Sequence, residues 1–270
     1  MSLGSVLIVG AHRGLGYALC KRYAEVLGPD IPIFATVEQH VNPADYPKSV
    51  KLIPGVDCSQ KDCAEKVIAG LEGNKVDLAI YVSGVVKPEE FGSASWDDQL
   101  LQYKICSVAP VMVIEKLVTS SSLAPNAKVA MLTSEAGSIT LRTESEGGSS
   151  YGHHGCKAAG NMIGHLLSYN LKEKGHPLVM LNEADAYLPL QPGFMKTDMT
   201  KAMGLESMYD ELDAKTAEEA AVPLVDFLAT VDMSKTGKLW APNGSQGIGS
   251  AEEAMGKEWA SLPGPIALPW

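Results

Sequence analysis

The stretch Val6-Leu-Ile-Val-Gly-Ala-His-Arg-Gly-Leu-Gly16 decides the fold of this 270-residue chain. Its first four residues are continuously apolar, as in a strand that is covered on both faces of its sheet. Glycines follow at positions 10, 14 and 16, and a helical pattern then runs through Tyr17, Leu19 and Tyr23. A strand, a glycine-rich turn and a helix in this order form a backbone cradle for a pyrophosphate. The stretch therefore predicts a nucleotide-binding α/β fold.

The alternation of predicted strands and helices continues along the chain. Apolar runs of strand length alternate with stretches of helical spacing, which is typical of a parallel sheet with helices on both faces. We therefore predict a doubly wound parallel sheet, a three-layer α/β/α Rossmann fold, and one domain over residues 1–270. The apolar runs cover residues 6–9, 33–37, 50–53, 78–82 and 129–132.

The second half of the chain is less regular. Thr216 stands three residues before Glu219, as in a capping box, which predicts a helix over about 220–231, and 239–241 can supply a last strand. Two segments, 178–181 and 186–190, compete for the sixth strand. Prolines exclude a helix or a central strand from 262–270, so we expect an irregular tail over about 250–270.

Composition excludes several classes of protein. The chain has 22 Lys+Arg against 32 Asp+Glu, a net charge of −10, which is unsuited to binding nucleic acid. The longest apolar run, 108–114, is shorter than the ~20 residues that cross a membrane. Five scattered cysteines lack a C-x-x-C pair and no histidines have ligand spacing, so we expect no disulfide framework, no metal and a cytoplasmic protein.

Five later segments stand in a characteristic order. They are Val56-Asp57, Tyr81-Val-Ser-Gly84, Thr133-Ser134, Lys157 with Ala158, Ala159 and Asn161, and Pro192-Gly-Phe-Met-Lys-Thr197-Asp-Met199. Together with the G-x-x-x-G-x-G spacing of the first turn, this set resembles the short-chain dehydrogenase/reductase family over roughly residues 6–199. The alternative is a Rossmann-like domain without a nucleotide, because glycine turns also serve packing alone.

The resemblance implies a nicotinamide dinucleotide cofactor. The positions that match the family's binding residues are Gly10, His12, Arg13, Gly14, Leu15, Gly16, Glu38, Asp57, Ser83, Gly84, Lys157, Pro192, Gly193 and Thr197. Glu38 favours NAD(H), since an acidic group binds a ribose 2′-hydroxyl and repels a 2′-phosphate. Arg13 matches a basic residue that is common in NADP-binding members. We favour NADP(H) over NAD(H).

The catalytic positions depart from the family pattern. The family carries its proton-donating tyrosine four residues before the lysine, and here His153 stands four residues before Lys157 while Tyr151 lies two residues earlier. His153 is either an acid, with an ordinary pKa near 6.5, or a surface histidine in a degenerate site. Ser134 matches the catalytic serine because it follows a strand, although Ser138 is nearer the usual distance from the tyrosine.

Two further departures accompany the missing tyrosine. Cys106 takes the place of an asparagine that helps to hold a water chain in the family, and we expect a buried, inert thiol there. Residues 142–150 form an insertion rich in serine and glycine. It is either a solvated loop, which we favour, or a substrate lid carrying Arg142.

We expect an oxidoreductase that reduces a carbonyl or imine with a non-standard proton donor. The alternative is an isomerase or cyclase, because the resemblance includes fungal secondary-metabolism members without the tyrosine that perform a [4+2] cyclisation. A binding protein without catalysis is a third hypothesis. Apolar residues over 198–215, where the family has its substrate lid, indicate a hydrophobic small-molecule substrate, and the resemblance implies a homo-oligomer, a dimer or tetramer.

Overall fold

The computed structural model describes residues 3–182, 195–196 and 215–270. These residues form ten strands: β1 (Val6–Val9), β2 (Ile33–Val37), β3 (Val50–Pro54), β4 (Val76–Tyr81), β5 (Leu123–Thr133), β6 (Leu178–Asn182), β7 (Met195–Lys196), β8 (Lys215–Thr216), β9 (Leu239–Ala241) and β10 (Ile266–Ala267). Eight of them make one sheet in the order β10-β9-β6-β5-β4-β1-β2-β3, in which only β10 runs antiparallel to its neighbour. Strands β7 and β8 pair separately.

Helices connect the strands of the sheet. They are α1 (Gly14–Leu27), α2 (Cys63–Gly70), α3 (Trp96–Tyr103), α4 (Ala109–Thr119), α5 (Tyr151–Lys172), α6 (Ala217–Ala229), α7 (Ala251–Met255) and α8 (Lys257–Ala260). The described structure is therefore the mostly parallel, doubly wound sheet of a Rossmann-like fold, as the apolar rhythm predicted.

The core lies on both faces of the sheet. Along β1, Val6 and Ile8 belong to one buried cluster, whereas Leu7 and Val9 belong to the other, because side chains alternate along a strand. Helices α1 and α6 cover the first cluster, and α2 and α4 cover the second. Burial on both faces explains why the strand sequences are continuously apolar.

The structure decides the open points of the second half. The sixth strand is Leu178–Asn182, because this segment pairs with β5 over five residues. The competing segment, 186–190, lies outside the described residues. Thr216 caps α6, since its hydroxyl accepts the N–H of Glu219 and the Glu219 carboxylate accepts the N–H of Thr216.

The expected irregular tail is wrong in part. Residues 250–270 contain the short helices α7 and α8 and the edge strand β10. Proline does exclude a central strand, but an edge strand needs donors on one side only, so Ile266 and Ala267 can pair with β9. No helix within the described ranges is long and apolar enough to cross a membrane. All five cysteines are described, and none forms a disulfide.

Candidate active site

The glycine turn connects β1 to α1 at the carboxyl edge of the sheet. Gly10 has φ +100°, and a Cβ there would lie 2.7 Å from the backbone nitrogen of Ser83. A Cβ on Gly16 would overlap the carbonyl oxygen of Gly10. Both glycines are thus required by the close approach of backbone segments. Because β1 lies between β4 and β2, the turn sits at the switch point where such sheets bind nucleotides.

A second layer of contacts holds the turn in place. The Thr36 hydroxyl accepts the N–H of Gly10 at 2.8 Å. The Tyr46 hydroxyl donates to the carbonyl of Ala11 at 2.9 Å, and its ring packs edge-on against Tyr17. Burial raises the pKa of Tyr46 to about 12, so it remains a hydrogen-bond donor. The glycine pattern did not reveal Tyr46, whose only sequence signal is an aromatic residue in a polar loop.

The amino end of α1 is open to an anion. Arg13 takes the N-cap position without a side-chain cap, and no acidic residue stands in the first turn. The first N–H groups of a helix have no partner within the helix, so they suit a pyrophosphate. Leu15 is buried beneath the turn, His12 is half-buried, and Arg13 and Glu38 are exposed. The cradle therefore fits a dinucleotide, with groups of opposite charge at its rim.

Asp57 lies three residues after the end of β3, and Ser83 lies two residues after the end of β4. The Asp57 carboxylate accepts the N–H of Ser59 at 2.8 Å. Partial burial opposes ionisation of Asp57, but hydrogen bonds from Ser59 and Gln60 outweigh it, so its pKa lies below the usual value. Ser83 contacts the Cys58 thiol at 3.3 Å, and the following Gly84 is exposed. The hydrogen bonds therefore keep Asp57 ionised, and the backbone at Gly84 is exposed to solvent.

Ser134 and Lys157 meet at the carboxyl end of β5. Ser134 follows the last residue of the strand and is fully buried. Lys157 projects from α5, is 6% exposed, and its ammonium group donates to the carbonyl of Thr133 at 3.4 Å. The other candidate, Ser138, is also buried, and its hydroxyl accepts the N–H of Leu141. Ser134 is thus the serine adjacent to the residue that binds Lys157.

His153 is fully buried one helical turn before Lys157, so the interpretation as a surface histidine is wrong. Residues four apart share a helix face, and α5 packs that face against the protein. Tyr151, by contrast, is the first residue of α5, is 40% exposed, and donates to the carbonyl of Gly148. The Tyr151 side chain is therefore at the surface, with its hydroxyl bound to the loop before α5.

Cys106 lies in a π-helical turn, Lys104–Val108, between α3 and α4. It is buried, as expected, and its thiol is 3.9 Å from the carbonyl of Val85. The Tyr81 hydroxyl donates to the carbonyl of Ile105 in the same turn, and burial holds the pKa of Tyr81 well above its usual value. Such π-turns are frequent at functional sites, and this one is fixed by Tyr81.

The insertion over 142–150 is anchored at Arg142, although Glu144, Ser145, Gly147 and Gly148 are exposed, as expected of a solvated loop. Arg142 forms a salt bridge with Glu146 at 3.0 Å, in which both side chains are largely buried. Arg142 also reaches the hydroxyl of Ser250, and Ser145 contacts Glu253. The sequence did not reveal these contacts because the partners are about 108 residues apart along the chain.

Two buried glutamates, one beside Ser134 and one at the start of α5, were missed. Glu135 is 5% exposed and accepts the Ser134 hydroxyl. Glu89 is 6% exposed, and its carboxylate accepts the N–H of Gly152 at the start of α5. A charged residue two positions after the end of a strand was the available signal for Glu135.

Some predicted site residues cannot be placed. Pro192, Gly193 and Thr197, and the expected lid over 198–215 apart from Lys215, lie outside the described residues.

Comparison with known proteins gives relatives that match nearly the whole chain. A 1-hydroxy-2-glutathionyl-2-methyl-3-butene dehydrogenase of Rhodococcus sp. (strain AD45) is 28% identical over 245 residues, which are 90% of this chain and 98% of the relative. No protein-family model matches the chain.

Solved structures share the fold. An NADPH-bound carbonyl reductase from chicken fatty liver has a TM-score of 0.73 and 21% identity, covering 90% of this chain and 97% of that one. A putative short-chain dehydrogenase/reductase from Burkholderia multivorans with bound NADP has a TM-score of 0.66 and 20% identity, covering 89% and 96%. The chain is thus similar over nearly its full length to a dehydrogenase, and it shares its fold with these solved structures.

Proposed function

We propose that this protein is an NAD(P)H-dependent oxidoreductase that reduces a carbonyl or an imine of a bulky, apolar small molecule. The observation that carries the proposal is the buried Lys157, whose ammonium group binds the β5 carbonyl next to Ser134. This pair lies at the same carboxyl edge as the glycine turn that follows β1. A nucleotide cradle and a buried lysine–serine pair on one edge suit hydride transfer.

The cofactor proposal is NADP(H), with NAD(H) as the alternative. The exposed Arg13 stands at the open end of α1, where a guanidinium can bind a 2′-phosphate. Glu38 opposes this choice. The NADPH-bound carbonyl reductase and the NADP-bound Burkholderia protein, which share the fold, support NADP(H).

The chain's own residues would divide the work as follows. When bound, the reduced nicotinamide supplies a hydride to the substrate. Lys157 holds the cofactor and places a positive charge near the reacting atoms, and Ser134 orients the substrate. His153, on the Lys157 face of α5, or a water molecule would supply a proton where the substrate needs one. Burial of all three side chains keeps bulk water away from them.

An apolar substrate is supported by exposed hydrophobic side chains on segments that adjoin the site. Ile139, five residues after Ser134, is 82% exposed, and Phe91, two residues after Glu89, is 89% exposed. Exposed apolar side chains of this size are typical of surfaces that bind ligands or partners.

The test is a calorimetric titration of the purified protein with NADPH and then with NADH. We expect micromolar binding of NADPH and weaker binding of NADH. Absence of binding to both cofactors would sink the oxidoreductase proposal. Tighter binding of NADH would keep the proposal and reverse the cofactor choice.

A second candidate function is an isomerase or cyclase, as in the fungal alkaloid enzymes that the motifs resemble. It is favoured by the solvent-facing Tyr151, which leaves the site without the usual proton donor. Substrate turnover without added nicotinamide would support this function, and strict dependence on NADPH would count against it.

We also propose that the chain forms a homo-oligomer through α4 and α5. Val108 and Met112 expose one apolar stripe, and Met162, Leu166 and Tyr169 expose another on α5. The spacings of three and four residues place each set on one helix face. Gel filtration with light scattering should give a dimer or tetramer, and a monomer would contradict the proposal.

A further inference from the structure

The carbonyl of Ala11, in the glycine turn, is held by a side chain from outside the turn. The Tyr46 hydroxyl donates to this carbonyl oxygen at 2.9 Å, and the carbonyl oxygen of His12 lies 3.4 Å from the same hydroxyl. A hydroxyl has one proton, and the shorter contact takes it. The N–H of Ala11 donates to the carbonyl of Thr36 at 2.9 Å. Both backbone polar groups of Ala11 are thus fixed.

This contact sets the direction of the next N–H group. The peptide bond between Ala11 and His12 is trans. In a planar trans peptide the C=O and N–H groups point in opposite directions. Because the Ala11 carbonyl points at Tyr46, the His12 N–H points away from Tyr46. No described residue accepts a hydrogen bond from this N–H. The Tyr46 contact therefore presents a fixed donor just before α1.

Tyr46 is itself held in place by α1. Its ring packs edge-on against the Tyr17 ring, with centroids 5.0 Å apart, and Tyr46 is 8% exposed. The Tyr17 hydroxyl donates to the carbonyl of Asp45 at 2.7 Å. Asn42 caps the 3-10 turn Pro43–Asp45 that leads into Tyr46. Each tyrosine of the pair thus binds a backbone carbonyl, and the carbonyl that Tyr46 binds belongs to the glycine turn.

We propose that Tyr46 is a positioning residue for the dinucleotide, since it aims the His12 N–H at a phosphate of the bound cofactor; this rests on the proposed reductase function. Phosphate oxygens accept N–H groups in strong, charge-assisted hydrogen bonds. His12 stands two residues before α1, whose first N–H groups also favour an anion. The phosphate belongs either to the pyrophosphate or to the ribose 2′ position, and the two cofactors distinguish these sources.

Two matched variants test the proposal. Tyr46→Phe removes the hydroxyl that holds Ala11, whereas Tyr17→Phe removes the hydroxyl of the same ring pair that binds outside the turn. Calorimetry should show NADPH affinity about tenfold weaker in Tyr46→Phe and within about twofold of the unaltered protein in Tyr17→Phe. No loss in Tyr46→Phe, or an equal loss in both folded variants, would overturn the proposal.

The titrations with NADH locate the phosphate. If Tyr46→Phe weakens NADPH and NADH alike, the His12 N–H serves the pyrophosphate, which both cofactors carry. If it weakens NADPH alone, the N–H serves the 2′-phosphate. Either result supports the role of Tyr46.

A spectroscopic measurement separates positioning from stability. Protein with ¹⁵N-labelled histidine has six histidine amides, and a His12→Gln variant identifies the resonance of His12. The His12 amide proton should move downfield when saturating NADP⁺ binds to the unaltered protein, and should move less in Tyr46→Phe. If Tyr46→Phe does not fold, the unaltered protein still decides, because a His12 amide proton that does not move downfield would overturn the proposal.

Turnover separates this proposal from the proposed function. In Tyr46→Phe the KM for NADPH should rise about tenfold while kcat stays within about twofold, because Ser134 and Lys157 are placed by β5 and α5. A fall in kcat with an unchanged KM would overturn the positioning role and leave the reductase standing. Failure of the unaltered protein to bind NADPH and NADH would remove the proposed function itself, and this proposal with it.

Discussion

The two sides of the carboxyl edge are built in different ways. The nucleotide side, around Gly10 and Gly16, is backbone packed on backbone, and its charged groups Arg13 and Glu38 face solvent. The catalytic side, around Ser134 and Lys157, is made of side chains that are buried and hydrogen-bonded. A backbone cradle tolerates few changes because glycine has no substitute there. A side-chain site, by contrast, can change its chemistry by single replacements.

The largest effect should come from the nucleotide side. Gly10→Ala places a methyl group within 2.8 Å of the backbone of Ser83, whereas Gly28→Ala, also at positive φ, meets nothing within 4 Å. We expect Gly28→Ala to cost about 1–2 kcal/mol of unfolding free energy. Gly10→Ala should cost about 3 kcal/mol or more and abolish dinucleotide binding. Urea unfolding and calorimetry measure both, and equal costs would show that the turn can relax.

On the catalytic side, Lys157→Met should lower kcat/KM for NADPH oxidation by about 100-fold or more, because the buried charge beside the reacting atoms is lost. Lys172→Met, at the exposed end of the same helix, is the control and should keep full activity. A thermal unfolding scan checks that both variants fold. Normal turnover in folded Lys157→Met would contradict the assignment of this lysine.

Removing the charge of Arg13 and removing the charge of Glu38 should change NADPH affinity in opposite directions, and both changes should be smaller than that of Lys157→Met. Arg13→Gln is expected to weaken NADPH binding about tenfold, which is about 1.4 kcal/mol, with little change for NADH. Glu38→Gln should strengthen NADPH binding, since it removes a charge that repels a 2′-phosphate. Dissociation constants for both cofactors decide this, and an equal loss of NADPH and NADH affinity in Arg13→Gln would mean that Arg13 contacts a group common to both.

The smallest effect concerns the support of the catalytic helix. Glu89→Gln removes a buried negative charge from the amino end of α5, where it accepts the N–H of Gly152 and receives hydrogen bonds from Gln99. We expect a loss of about 1 kcal/mol in unfolding free energy. The exposed neighbour Glu90 provides the control, and a Glu90→Gln variant that is equally destabilised would argue against a specific role in α5.

Local patterns predicted the fold well. Continuously apolar runs located the central strands, and the Thr216–Glu219 box located α6, which begins at Ala217, three residues before the predicted start at about 220. Both are short-range signals, because a strand covered on two faces and a helix end each leave their mark on adjacent residues. The sixth strand could not be chosen from sequence, since two short apolar segments compete, and its position follows from the pairing of Leu178–Asn182 with β5.

The catalytic side was predicted less completely for a physical reason. The burial of His153 and Glu135 depends on what packs over them from distant segments, and a periodic pattern does not contain that information. Glu89 reaches α5 across 63 positions of the chain, and Arg142 reaches Ser250 across 108. Such contacts follow from the fold and cannot be deduced from neighbouring residues.

The contacts of residues 250–270 with the loop after Ser134 have a consequence for synthesis. Thr140 binds the carbonyl of Trp270, and Ser145 contacts Glu253, so the last part of the chain fixes the loop beside the catalytic residues. The ribosome releases the glycine turn before it releases residues 250–270. The nucleotide cradle can therefore assemble while translation proceeds, whereas the catalytic loop takes its final position only after residue 270 has emerged.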